Sequence, residues 1–289
     1  MTLPEFYRDY YLPVRLIGKS PGSYAGYAMA LRRWARFSAA PIEDIDSRLL
    51  AAWQTSLLPG HSAATVNSYM RHVCALLNYA ADEDVRVIPR APKIKRLREL
   101  RRVPLALTIQ EFSAVLDTAA RHKNAPLWRA LLLVAWETGL RLRGLLSLRP
   151  VDVLFPQDGL YCQAEGEKNG VAQWFQLQPE TLEAIHSIYS LENSRLFSFR
   201  CKSAQVLRTL RRILNSSGIY APKGSGMCWH RLRRSKASYT KLMGGDATSA
   251  LNHSRPSITS RYLDPRICRQ ASQPPMPMPK PVVTLKVAG

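Results

Sequence analysis

The sequence predicts a mostly α-helical protein with one small antiparallel β-sheet, divided into two domains. Three observations carry this expectation. Apolar residues recur three or four positions apart over several segments, the period of a helix with one buried face. Two strand-like runs, Gly159 to Ala164 and Val171 to Leu177, are joined by the turn Glu167-Lys168-Asn169-Gly170, whose Asn-Gly dipeptide tolerates positive φ and favours a hairpin. Between Arg86 and Val103 the composition turns abruptly basic and is broken by Pro89 and Pro92. Prolines stop helices and favour extended chain, so this stretch reads as a linker rather than a buried element.

The first domain is expected over 1–88. After Pro21-Gly22-Ser23, a segment sets Tyr24, Tyr27, Leu31, Trp34 and Phe37 on one stripe, with Arg32, Arg33 and Arg36 on the other face. A second helix, Ile45 to Trp53, begins near two capping candidates, Asp44 and Asp46. A third follows Gly60-His61-Ser62 and aligns Val66, Tyr69, Met70, Val73, Leu77 and Ala80. The aromatic stripes are read as core, and the arginines as groups that meet phosphate.

The linker, 89–104, carries Arg90, Lys93, Lys95, Arg96, Arg98, Arg101 and Arg102. An extended basic strap is suited to track a phosphate backbone, each neutralised phosphate releasing counterions. A larger domain, 105–265, opens at Thr108-Ile109-Gln110-Glu111, a capping-box pattern. Leu127 to Leu140 is apolar nearly all round, as expected of a helix buried on every side. The hairpin then puts Lys168 at its tip. Helices resume at Pro179 to Tyr189 and Ser203 to Ser216, the latter bearing Arg208, Arg211 and Arg212. The tail, 266–289, is proline-rich and ends in Val282 to Val287. That run alternates like an edge strand able to join a neighbouring subunit's sheet, with an unstructured tail as the alternative.

Charge narrows the partners. The 41 Lys and Arg against 21 Asp and Glu leave a net charge of +20, a self-repulsion that a polyanion would relieve. Nucleic acid fits, although ribosomal and membrane-surface proteins share such a balance. The apolar stretch Ala130 to Trp136 is far short of the roughly 20 residues that span a bilayer, and no membrane partner is expected. Met1 to Tyr11 lacks the charged-then-apolar pattern of a secretion signal. The five cysteines, Cys74, Cys162, Cys201, Cys228 and Cys268, are scattered and odd in number. Neither a disulfide framework nor a metal site is expected from them, and a reducing, cytoplasmic setting is the default.

Breaking and rejoining a DNA phosphodiester without metal needs a nucleophile, fixed positive charge for a dianionic transition state, and a proton for the leaving 5′ oxygen. Tyrosine can be the nucleophile, arginine forks match nonbridging oxygens, and lysine or histidine can donate the proton. Such residues occur in order: Thr138-Gly139-Leu140-Arg141, Lys168, His230-Arg231-Leu232-Arg233, Leu251-Asn252-His253-Ser254 and Tyr262. The spacing of His230 and Arg233 sets both on one helical face.

This ordered set resembles the tyrosine recombinase, or phage integrase, family. The resemblance implies a helical amino-terminal domain that clamps DNA and an α+β catalytic domain. It maps Arg141 and Arg233 to the two catalytic arginines, His230 and His253 to the family's histidines, Tyr262 to the nucleophile and Lys168 to the strand-turn general acid. It implies a site-specific recombinase acting on double-stranded DNA sites through a 3′-phosphotyrosyl link and a four-way junction. No cofactor would be needed, and a homo-tetramer would hold two duplexes. Accessory DNA-bending or directionality proteins, a mobile element as the object of integration or excision, and a nucleoid-associated location in a prokaryotic or phage setting go with that reading. A type IB topoisomerase and a non-catalytic DNA-binding regulator are the competing readings.

Three features depart from the pattern. Gly144 stands where the family carries an acid three positions after its first arginine, so support for Arg141 must come from elsewhere, with Glu137 as the candidate. The interval from His230 to His253 is about one helical turn short, with Gly244-Gly245 inside it. Asn252 replaces a glycine before His253, a substitution that left-handed backbone tolerates.

Overall fold

The computed structural model describes residues 1–99, 105–167, 170–219, 227–251, 253 and 256–268. The chain divides into two compact units, Met1–Arg101 and Arg102–Gly289.

The first unit begins with helical turns that the sequence reading did not assign: α1 (Leu3–Phe6), a π-helical turn (Tyr7–Tyr11) and α2 (Leu12–Arg15). Its main helices are α3 (Pro21–Ala35), α4 (Ser47–Leu57) and α5 (Ala63–Ala80). Proline opens α3 because its missing N–H is unpaired in a first turn anyway. Asp46 rather than Asp44 caps α4, accepting from the Leu49 amide at 2.7 Å, and Ser62 caps α5. Trp34 and Trp53 meet edge to face at 5.1 Å in a core shared with Leu3, Phe6, Leu50, Val66 and Leu77.

Over residues 89–99 the basic strap forms neither helix nor strand, but it is not a free linker. Ile88 is buried, and Ala91, Ile94 and Leu97 pack on the first unit's core. The Gln54 side chain donates to the Lys95 carbonyl at 3.1 Å, and Asn67 exchanges hydrogen bonds with the Leu97 amide and carbonyl, both at 2.9 Å. Apolar residues spaced along the charge run anchor the strap inward, which leaves Lys93, Lys95, Arg96 and Arg98 exposed. Arg32, Arg33 and Arg36 are exposed too, on the polar face and end of α3.

The second unit starts with α6 (Ile109–Ala120), closed by the predicted capping box: Thr108 Oγ1 accepts from the Glu111 amide at 3.2 Å, and Glu111 accepts from the Thr108 amide at 2.8 Å. Helix α7 (Ala125–Thr138) runs through the core, every residue from Ala130 to Thr138 being buried. Trp136 stacks on Phe112 with ring centroids 4.1 Å apart. Helix α8 (Leu142–Ser147) follows at once.

Among the described residues the sheet has three strands in the order β1 (Val153–Leu154), β2 (Gly159–Cys162), β3 (Gln173–Gln176), all antiparallel. Cys162 pairs with Gln173, so residues 163–172 connect β2 and β3. The connection is therefore longer than the Glu167–Gly170 turn expected to join the strands, although the Gly170 amide does donate to the Glu167 carbonyl at 3.3 Å, and Ala164–Gly166 is a 3₁₀ turn. Lys168 and Asn169 lie outside the described residues.

Helix α9 (Pro179–His186) ends short of the expected Tyr189, whereas α10 (Ser203–Ser216) has the expected bounds, with Arg208 and Arg212 exposed and Arg211 half-buried. Helix α11 (Met227–Leu242) contacts α7, and among the described residues three short helices follow it: α12 (Ala247–Ala250), α13 (Pro256–Thr259) and α14 (Pro265–Cys268). The Val282 to Val287 strand expected in the tail lies outside the described residues. Among the described residues, no helix is long and apolar enough to cross a membrane.

Candidate active site

The site is assembled where α7 ends. Gly139 terminates that helix in left-handed backbone, φ +63°, which frees its carbonyl and turns the chain toward α8. A Cβ there would also lie 2.8 Å from the Leu251 side chain and 2.9 Å from that of Lys236, so any other residue would have to displace both as well as strain the backbone. Arg141 occupies the capping position just before α8, where its extended backbone lifts the side chain off the helix.

Helix α11 grips this turn from the other side. Trp229 Nε1 donates to the Leu140 carbonyl at 3.0 Å, and Arg233 Nε donates to the Gly139 carbonyl at 2.7 Å. Arg233 is buried, and its Nη2 also reaches the Leu251 carbonyl at 3.2 Å and His253 Nε2 at 3.5 Å. Burial, with Arg141 nearby, pulls the Arg233 guanidinium down to about 10, against the opposing pull of Tyr262 and Glu167.

Tyr262 closes the group. Its hydroxyl lies 3.4 Å from His230 Nδ1, its ring centroid lies 4.9 Å from that of His253, and the Arg233 guanidinium carbon stands 5.3 Å from its ring. His253 is held by Thr259, whose Oγ1 lies 2.9 Å from Nδ1. The His230 imidazole is pulled down to about 4 by burial first, then by Arg233, Arg234 and Arg141. His253 is likewise pulled down to about 4, by burial, Arg233 and Arg141. Both rings are therefore neutral near neutral pH, in a pocket whose fixed charge is positive. Such a pocket suits a phosphodiester, which would bring the missing negative charge.

The segment between α11 and His253 is compact. Gly244 takes left-handed backbone at φ +78°, the Gly245 amide donates to the Thr240 carbonyl at 2.8 Å, and Asp246 caps α12. The shortened interval thus folds back tightly and still delivers His253 to Arg233. Asn252 lies outside the described residues.

The support for Arg141 differs from the expectation. Glu137 is engaged by other partners, accepting from Thr181 Oγ1 at 2.8 Å and from the Gln178 amide at 3.1 Å. The carboxylate on Arg141 belongs to Glu167, which pairs through Oε2 with Arg141 Nη1. Sequence reading missed Glu167 as a site residue, along with Thr259 behind His253 and Trp229 behind Leu140. It had placed Glu167 only as a turn residue.

The model of the phage integrase family matches residues 106–267, more than half of the chain. The chain belongs to that family. Its three-stranded antiparallel sheet within a mostly helical unit is the fold of tyrosine recombinase catalytic domains. A curated relative from Pseudomonas syringae, "Putative tyrosine recombinase XerC", is 26% identical over 310 residues, covering 92% of this chain and 62% of the relative. The chain therefore spans less than two thirds of that relative's length. A lambda integrase dimer bound to a COC′ core site superposes with a TM-score of 0.75 at 21% identity, covering 95% of this chain and 99% of the other. The Tn1549 transposon integrase in complex with a circular intermediate DNA gives 0.75 at 15% identity, covering 91% and 95%. Within this integrase-family chain, Arg141, His230, Arg233, His253 and Tyr262 converge in the second unit.

Proposed function

We propose that this chain is a site-specific DNA recombinase whose nucleophile is Tyr262. The observation that carries the reading is the position of the Tyr262 hydroxyl against His230, with Arg233 and His253 flanking the same ring. In the proposed reaction, Tyr262 Oη attacks the scissile phosphorus and the bond to the 5′ oxygen breaks. The products are a 3′-phosphotyrosyl ester and a 5′ hydroxyl. His230, neutral before the phosphate arrives, takes the phenolic proton. Lys168 gives a proton to the departing 5′ oxygen. Arg141 and Arg233 bind nonbridging oxygens, and His253, its pKa raised by the phosphate, adds a donor. Losing one such donor costs roughly 100- to 1000-fold in rate.

Rejoining is the same chemistry in reverse with a new 5′ hydroxyl. Exchange between two duplexes passes through a four-way junction held by four copies of the chain, and another lambda integrase structure is a tetramer bound to a Holliday junction. We assign the substrates as double-stranded recombination sites of a mobile element, served by accessory DNA-bending or directionality proteins. Because Tyr262 lies beside His230 and Arg233 of its own chain, cleavage in cis is the arrangement the reading favours.

The test is a nicked suicide duplex carrying the candidate attachment site from DNA flanking the gene, incubated without added metal beside the Tyr262→Phe variant. A denaturant-resistant adduct from the wild type that the phenylalanine variant cannot form supports the reading. Specific binding by both with no adduct from either sinks it.

A further inference from the structure

We propose that Glu167 is the positioning residue for Arg141, and that Gly144 is the space that admits it. This deepens the recombinase reading, since it concerns the arginine assigned to the scissile phosphate.

The Glu167 side chain is 1% exposed, and Arg141 is its ion-pair partner. A carboxylate taken so fully out of water is costly unless a cation meets it closely. Its other oxygen, Oε1, has no hydrogen-bond partner among the described residues. That oxygen lies against α8 at the point where a side chain is missing: a Cβ on Gly144 would stand 2.9 Å from it, 3.3 Å from the Gly166 carbonyl oxygen and 3.5 Å from Cys162 Sγ. The contact is tight from the other side as well, because a Cβ on Gly166 would come within 2.4 Å of Ser147 Oγ and 3.3 Å of Gly144 Cα. Two glycines thus let the β2–β3 connection press onto α8, and the acid of that connection enters from the loop.

The consequence is directional. A guanidinium offers five donors in a fixed plane, and a carboxylate on Nη1 sets that plane while leaving other donors free for a phosphate. Arg141 is thereby oriented by the β2–β3 connection rather than by its own helix. Lys168 follows Glu167 directly in the sequence, so one loop segment supplies both the acid that aims the arginine and the lysine assigned to the leaving oxygen.

The niche can be refilled from α8. Glu167→Gln keeps the volume and removes the charge; we expect it to lower single-turnover cleavage of the suicide duplex by roughly 10- to 100-fold, the effect of a small misplacement. DNA affinity and thermal stability should stay near wild type. Glu167→Ala should lose at least as much cleavage, and adding Gly144→Asp to it should recover activity, since the new carboxylate occupies the vacated space. Wild-type cleavage by Glu167→Gln, or no recovery in the double variant, overturns the proposal.

A second measurement is independent of cleavage. Guanidinium nitrogen resonances of Arg141, assigned by their loss in Arg141→Lys, should be restrained in the wild type and the double variant but rotationally averaged in Glu167→Gln. Unchanged Arg141 resonances in Glu167→Gln overturn the positioning role. If the wild type forms no adduct, the recombinase reading falls, while these spectra still decide whether Glu167 holds Arg141.

Discussion

The Gly139 carbonyl accepts a hydrogen bond from Arg233 Nε at 2.7 Å, which ties the turn bearing Arg141 to the helix bearing His230 and Arg233. One backbone atom therefore sets the spacing of the two arginines. The bond exists because Gly139 adopts left-handed backbone and has no side chain to strike Leu251 or Lys236. Gly139→Ala adds backbone strain of roughly 1–2 kcal/mol and a contact of 2.8 Å that neighbours must relieve. We expect its melting temperature to fall by roughly 3–8 °C, and cleavage to fall further than the loss of folded protein explains. Calorimetry beside single-turnover cleavage at a permissive temperature checks this. A variant as stable and as active as wild type would refute it.

The parts of this arrangement that local pattern encodes were legible in the sequence. Helix α10 has the bounds its sequence predicts, Ser203 to Ser216, and Thr108 with Glu111 announces the start of α6. His230 and Arg233 were assigned to one face because three residues along a helix must share one. What failed depended on distant partners. The Asn169-Gly170 dipeptide was taken for the turn between paired strands, but pairing stops at Cys162 and Gln173, and β1 is too short to show a period. The strap reads as a linker because Pro89 and Pro92 break the basic run, yet Ile94 and Leu97 are enough to seat it on the first unit. Glu167 escaped notice because its role depends on what is absent at position 144.

Thr259 holds His253 from behind and is itself buried. Thr259→Val keeps the shape and removes the hydroxyl, freeing the ring to turn away from Arg233 and Tyr262. Cleavage should drop by roughly 10-fold, the lower end of what loss of an orienting partner costs, with DNA affinity unchanged. Single-turnover rates beside equilibrium binding measure the two separately. A binding loss equal to the rate loss would mean that Thr259 serves the fold instead.

The two depressed histidines predict an acid-sensitive fold. His230 and His253 titrate at about 4 in the folded chain against an ordinary 6.5. Between those values the unfolded chain binds more protons than the folded one, so stability rises with pH there. Their contribution is complete above 6.5, falls as pH drops through that window and stops changing below about 4. Bound DNA should reverse the trend locally, because phosphate raises both values and binding takes up protons between the free and bound titrations. Melting temperature against pH should slope less steeply in His230→Asn. Calorimetric binding in buffers of different ionisation heat should show proton uptake below pH 6.5. Proton release would contradict the site's assigned ligand.

The strap makes a prediction about salt. Lys93, Lys95, Arg96 and Arg98 are exposed along a chain pinned by Gln54 and Asn67, so their charges are held in a row and not scattered by a flexible linker. If each meets a phosphate, replacing all four with alanine should flatten the dependence of log affinity on log salt by up to about 3.6, at about 0.9 per contact. The weakening should be nearly the same on specific and unrelated duplexes, since phosphate contacts carry no sequence information directly. Alanine at Arg208 and Arg212, exposed on α10, provides the comparison for the second unit. An unchanged salt slope in the strap variant would remove the strap from the DNA interface and leave its anchors a purely structural purpose.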